Sequence, residues 1–222
     1  MSKAPARARR VSYSSPRQRE RQQRILAVVR EQISAVGYEA LNIRDLAAAS
    51  GVALKTLYNL YGSKDELLLA AVADLLSDVQ NLEPVAGAEP GIPRLLAHTQ
   101  AIATQIVETP AYADTMARTL FQAGRDHHLI DVMLGSSVRL VTENLQYAAT
   151  QGELIENLDL KESAQVLAGH QWSMVLLWSK GLIALDSIPS AMLRSSLLSL
   201  IPLCRGERRA QLEQQLGYLG SE

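Results

Sequence analysis

Residues 53–59 read ALKTLYN and place a cation, a hydroxyl, a phenol and an amide on two turns of predicted helix. With Leu57 turned inward, Lys55, Thr56, Tyr58 and Asn59 fall largely outward. That set of donors and acceptors suits phosphate oxygens and base edges. Lys55, Thr56 and Asn59 are the candidate base readers. Asn42, Arg44, Tyr58 and Lys64 are the candidate phosphate contacts, with Arg17 near the start of the preceding long helix.

Such a short helix needs neighbours to hold it. Asn42 is a good N-cap, and Asp45 follows three residues later. Leu46, Ala47, Ala48 and Ala49 supply a narrow apolar face. Gly51 tolerates the left-handed backbone that ends a helix, and a second helix is predicted over 53–59. Ala47, Gly51 and Leu57 have the spacing of a helix-turn-helix: a small residue at the crossing, a permissive one at the turn, an aliphatic anchor on the second helix. After Gly62, Ser63 and Glu66 form a capping box for a further helix to about Asn81. Upstream, Ser15-Pro16-Arg17-Gln18 opens a helix to about Val36, with Ile25, Val29, Ile33 and Val36 as its buried stripe. Gly37 closes that helix, and Tyr38 and Leu41 are expected to pack across the joint.

The stretches ILAVVREQISAVGYEAL, DLAAASGV and TLYNLYGSKDEL together resemble the DNA-binding domain of the tetracycline-repressor (TetR) family over roughly residues 20–70. Three positions differ from the family's usual pattern. Ala53 stands where serine or threonine is common, Lys55 replaces a small residue, and Leu60 replaces a tyrosine or histidine. The resemblance implies an all-α protein: a three-helix DNA-binding head over 15–62, then a helical ligand-binding and dimerisation body over 63–222.

The charge distribution fits that division. Through Lys64 there are 12 Lys and Arg against 4 Asp and Glu, a net +8. The remainder carries 10 against 19, a net −9. A basic head on an acidic body suits one part that meets nucleic acid and another that stays off it. Residues 1–14 are rich in Arg, Ala and Ser and are expected to be a disordered basic arm. Arg7, Arg9 and Arg10 in it would reach a minor groove or phosphates. The one cysteine, Cys204, has no partner for a disulfide within the chain, and a cytoplasmic location is expected. No apolar run reaches the ~18 residues of a membrane span.

Beyond a Pro- and Gly-rich loop at 83–93, helical patterns are predicted over 93–107, 110–123, 128–151, 160–185 and 189–205. A short amphipathic tail carries Leu212, Leu216 and Leu219. The 160–185 and 189–205 pair is so apolar that one neighbour cannot cover it. TetR-like proteins dimerise through their last two long helices, so Trp178, Leu182, Leu193, Leu197 and Leu200 are expected at a homodimer interface. Pro202 is expected to kink or end the last of them. The family's effector cavity lies in the body. Met116, Leu120, Phe121, Met133, Trp172 and Trp178 are candidates for its walls, with His98, Gln171 and Ser173 to orient a ligand.

Enzymatic chemistry finds little support. There is no phosphate loop, no Cys/His cluster with zinc spacing and no activated nucleophile. His127 and His128 are adjacent and cannot share a helical face as ligands. No catalytic residue, metal or cofactor is expected. The reading is a repressor released from double-stranded operator DNA by a small hydrophobic effector. An effector-independent regulator or activator is the alternative, and a helical carrier or enzyme a remote one.

Overall fold

The computed structural model describes residues 16–37, 40–122 and 130–219. The N-terminal arm, Ser15, Tyr38, His127 and His128 lie outside the described residues. In chain order the helices are α1 (Pro16–Val36), α2 (Ile43–Ala49), α3 (Leu54–Tyr61), α4 (Lys64–Asn81), α5 (Ile92–Glu108), α6 (Pro110–Gln122), α7 (Ser136–Thr150), α8 (Leu160–Ser179), α9 (Ile188–Leu200) and α10 (Gly206–Tyr218). The described residues contain no strand, only one antiparallel bridge between Leu154 and Cys204.

The head follows its local signals closely. Asn42 caps α2, its side chain accepting from the Arg44 amide at 2.9 Å. At the other end Gly51 takes φ +64°. The Gly51 amide donates to the Ala48 carbonyl at 3.1 Å and the Val52 amide to the Ala47 carbonyl at 3.0 Å. These two bonds satisfy carbonyls that the helix end would strand, and they set the angle at which α3 departs. Ala53 caps α3 without a side-chain bond. Burial of Leu57 must therefore do more of the holding. The Ser63 hydroxyl accepts from the Glu66 amide at 3.1 Å and starts α4.

Ile25, Val29 and Ile33 of α1 pack with Leu41, Leu46, Leu57, Leu67 and Leu68 in one core. Two details differ from expectation. Val36, the last residue of α1, is 51% exposed rather than buried, whereas Ile33 one turn earlier is fully covered. Ala48 and Ala49 face solvent, leaving Leu46 and Ala47 as the inward side of α2.

In the body, the 83–93 loop includes one helical turn, Glu83–Ala86. The Asn144 side chain accepts from the Gly91 amide at 2.9 Å and pins the start of α5 to α7. A π-helical segment, Asp131–Gly135, feeds directly into α7. Asp159 caps α8 through the Lys161 and Glu162 amides at 2.9 and 3.0 Å. α8 stops at Ser179 and not near 185. There Gly181 at φ +74° closes it, with its amide on the Trp178 carbonyl and the Leu182 amide on that of Leu177. Leu182 therefore lies beyond the helix, 73% exposed. α9 ends at Leu200, and a single 3-10 turn, Ile201–Leu203, carries Pro202. The final amphipathic helix is present as α10, anchored by buried Leu212.

Replacing Gly51 by alanine forces a β-carbon into the left-handed region at no gain in contacts. We expect Gly51→Ala to cost about 1–2 kcal/mol, read as a lower urea midpoint by circular dichroism. An unchanged midpoint would mean the turn does not set head stability.

Candidate nucleic-acid interface and buried cavity

α3 is amphipathic in a way that leaves one face unused by the fold. Leu57 is buried, and Leu54, Leu60 and Tyr61 pack against the head core. Lys55, Tyr58 and Asn59 are exposed, and Thr56 is half-buried beside them. Lys55 and Asn59 stand one turn apart on the same side. Asn42 and Arg44, at the start of α2, are also exposed, as is Arg17 on the first turn of α1. The oxygen of Asn42 is already used as a cap, so its NH2 group is what a phosphate could meet. Lys64 is half-buried in the first turn of α4. A helix start favours anions through its free amides and dipole.

α4 is the element that the head shares with the body. Leu67, Leu68, Leu69 and Ala71 are buried in the same core as α1–α3, a core that also takes in Tyr112, Met116, Leu120 and Met133 from the body. Arg30 of α1 is clamped from α4 by Asp74 at 3.3 Å and Asp78 at 3.2 Å. Partial burial raises the Asp74 pKa, and the neighbouring Asp78 raises it further while Arg30 opposes. The Tyr61 hydroxyl is buried with no hydrogen-bond partner. Its pKa is raised by burial and then by Asp74. The joint thus concentrates polar groups that are incompletely paired.

On its other side α4 forms one wall of a cavity of about 90 Å³. Val72, Leu75, Leu76 and Val79 supply that wall. His98, Ile102, Gln105, Ile106 and Thr109 line it from α5, Tyr112 and Met116 from α6. Met133, Ser136 and Ser137 come from the π segment and the first turn of α7, and Gln171, Trp172 and Val175 from α8. The Trp172 indole donates to the Ser137 hydroxyl at 3.2 Å, and that hydroxyl donates to the Met133 carbonyl at 2.9 Å. Tyr112 lines the cavity with a fully buried hydroxyl that has no partner. Burial raises its pKa, so it stays a neutral phenol. His98 is 5% exposed. Burial lowers its pKa to about 4, so the imidazole is neutral at pH 7.

Five expected ligand residues therefore line one cavity: His98, Met116, Met133, Gln171 and Trp172. Leu120 does not; it is buried in the core shared by head and body. Phe121, 43% exposed, turns to solvent because its position on α6 lies off the buried stripe. Ser173 is exposed and bonds back to the Gly169 carbonyl. Trp178 packs in a separate cluster with Ile188 and Met192. The α4 wall, Gln105 and Tyr112 were not anticipated. No local pattern marks them, since the cavity is made by long-range packing.

The expected interface residues also need correction. Leu193, Leu197 and Leu200 of α9 are buried within the protomer, because they form its inward stripe on the side that packs against α5 and α8. The apolar residues that α8 and α9 leave exposed are Val166, Leu177 and Leu198. Cys204 is fully buried, and its pKa is pushed up to about 11, chiefly by burial, so the thiol remains protonated. Among the described residues no cluster could hold a metal ion, and no helix is long and apolar enough to cross a membrane.

Residues 25–71 match the model of the bacterial regulatory proteins of the tetR family. Among curated proteins none matches the sequence. Among solved structures, the fatty acid degradation regulator FadR from Bacillus halodurans superposes with TM-score 0.67 at 18% identity, covering 80% of this chain and 97% of that one. The TetR-family repressor FadR from Thermus thermophilus, in complex with lauroyl-CoA, gives 0.62 at 19% identity over 84% and 96%. CprB from Streptomyces coelicolor, in complex with its operator sequence, gives 0.59 at 19% over 93% and 99%. At these identities the likeness is one of fold.

The buried imidazole makes stability pH-dependent. Below pH 6.5 the unfolded chain takes up a proton that folded His98 accepts only near pH 4. Stability is therefore lost as pH falls through that window. We expect His98 to account for about 2 kcal/mol of loss between pH 7 and 5. His98→Gln should remove that share from urea unfolding curves. Equal pH slopes in the two proteins would show that the imidazole is not held neutral.

Proposed function

We propose that this chain, whose residues 25–71 match the tetR family of bacterial regulators and whose fold is similar to TetR-family structures over 84–93% of its length, is a ligand-released transcriptional repressor acting in the cytoplasm as a homodimer. The head, 15–62, reads duplex DNA, and the body, 63–222, carries the effector and dimer surfaces. The observation that carries this reading is α4, one side of which is built into the head core while the other walls the cavity.

Each protomer sets α3 in a major groove, with Lys55, Thr56 and Asn59 toward base edges. Arg17, Asn42, Arg44, Tyr58 and Lys64 meet the backbone. Two heads then address half-sites about one helical turn, ~34 Å, apart or somewhat more. The dimer face proposed is the exposed side of α8 and α9. Val166, His170, Ser173 and Leu177 recur on α8 at spacings of three and four, and Ala191, Ser195 and Leu198 on α9. Trp178 and Leu182 lie at the edge of that face.

The effector would be small and hydrophobic, as the apolar walls and the fold's likeness to a repressor solved with lauroyl-CoA support. A ligand that outgrows this void would press on its walls, α4 among them. Displacing α4 would move the head and spoil the match to the half-sites. The ligand needs a preference of a few kcal/mol for the displaced state. The protein would act by binding alone, without turnover.

Two substitutions separate the DNA roles. Arg44→Ala should weaken all duplexes alike and lower the salt slope by about one, whereas Asn59→Ala should change which sequence is preferred. Gel shifts on the gene's own upstream DNA and on random duplex, at several salt concentrations, measure both. If both variants bind as wild type does, α3 is not the reader.

Leu198, 56% exposed, contributes little to the protomer's own core. Leu198→Glu should leave folding intact but shift sedimentation from dimer to protomer, with operator affinity falling at least tenfold. A stable dimer in that variant would place the interface elsewhere.

A further inference from the structure

The cavity's chemistry narrows the effector further than "small and hydrophobic". Among the described residues, no Asp, Glu, Lys or Arg lines it. Its α5 wall runs from His98 to Thr109, eleven residues along one helical face, or roughly 16 Å. The void is therefore a slot along α5 rather than a sphere.

His98 and Gln171 close one end of this slot. Both also line a second, smaller void of about 30 Å³ between α5, α7, α8 and α9. Its other polar walls are Thr99, His170, Ser196 and Ser199. These are already engaged: Thr99 lies 3.3 Å from Ser196, and His170 Nδ1 lies 2.6 Å from the Ser199 hydroxyl. No Asp, Glu, Lys or Arg lines the second void either. His98 and Gln171 make no side-chain hydrogen bond to a described residue, although His98 is almost completely buried. Neither is among the fully buried unpartnered polar atoms, so their polar ends face the voids and are open to a ligand's hydrogen bond.

We propose that the effector is an elongated, uncharged amphiphile whose apolar body lies along α5 and whose hydroxyl or carbonyl group hydrogen-bonds to His98 and Gln171. This rests on the effector-released reading above. A carboxylate or phosphate at that end would be buried without a cation, and desolvation would then oppose binding. A neutral imidazole and a primary amide each offer both a donor and an acceptor to an alcohol, and a donor to a ketone or ester.

The test is calorimetric titration of the full-length protein at pH 7.5 with decanol, methyl decanoate and decanoate. The alcohol and the ester are expected to bind at least tenfold more tightly than the acid anion. His98→Leu should weaken decanol at least fivefold, and His98→Gln should restore most of it. Decanoate binding as tightly as decanol overturns the proposal, as does saturable binding of neither alcohol nor ester. If His98→Leu fails to fold, the wild-type comparison still decides. Gel shifts on ligand-free protein examine the regulator reading by itself. No duplex binding there, with alcohol-selective titration intact, would remove the regulator and keep the ligand class.

Discussion

The structure depends on α4 being packed from two sides at once. Its first turns are sealed into the head by Leu67, Leu68 and Ala71, and Arg30 reaches from α1 to hold Asp74 and Asp78 on the same helix. Its outer half faces the cavity through Val72, Leu75, Leu76 and Val79. Packed cores do not deform smoothly, because each methylene displaced loses close contacts. A shift of α4 is therefore transmitted to whatever else it touches. The ion pairs fix the direction of that transmission more than its energy, since Asp78 is largely solvated and such pairs are weak in water.

The head shows how a short helix is made useful. α3 has eight residues, no side-chain cap and no margin of its own. It is held by Leu57 below and by the Gly51 turn before it. This leaves Lys55, Thr56, Tyr58 and Asn59 with little to do for the fold. A polar face that contributes nothing to stability is free to be chosen for what it meets outside the protein. The basic charge of the first 64 residues, net +8, points to the same kind of partner.

Most of the head was legible in the sequence because its signals are local. Asn42, Gly51, Gly62 and Ser63 each fix the backbone within a few residues, and the structure uses each of them there. The body was less legible for two physical reasons. Apolar periodicity marks a stripe but does not say what covers it. Leu193, Leu197 and Leu200 form an apolar stripe that could face a partner, yet it is covered within the protomer by α5 and α8. The stripe left outside is diluted by Gly169, His170 and Ser173 and so gives a weaker apolar pattern. Cavities, in turn, arise where helices distant in sequence fail to close, so the α4 wall and Tyr112 carried no signal. Residue type alone misplaced Phe121. Gly181 did carry a signal, and reading it as a helix end would have put Leu182 outside α8.

The cavity also suggests where the energy for a switch would come from. In the proposed reading an effector must favour the displaced state by a few kcal/mol. Apolar contact alone gives poor discrimination, since a greasy ligand gains similar area against either arrangement of the walls. Polar groups left unpaired in the ligand-free protein discriminate better, because each is worth about 1–3 kcal/mol only when a partner is supplied. One such group lines the slot, the Tyr112 hydroxyl; His98 and Gln171 add polar ends that face the void toward one end. Tyr112 is also close enough to Arg30 and Asp74 to feel their charges. Whatever re-aims its ring changes the surroundings of the clamp between α1 and α4. A ligand that pays for its place at His98 while crowding Tyr112 would thus act on both sides of α4, stabilising the body in the new arrangement and loosening the old grip on the head.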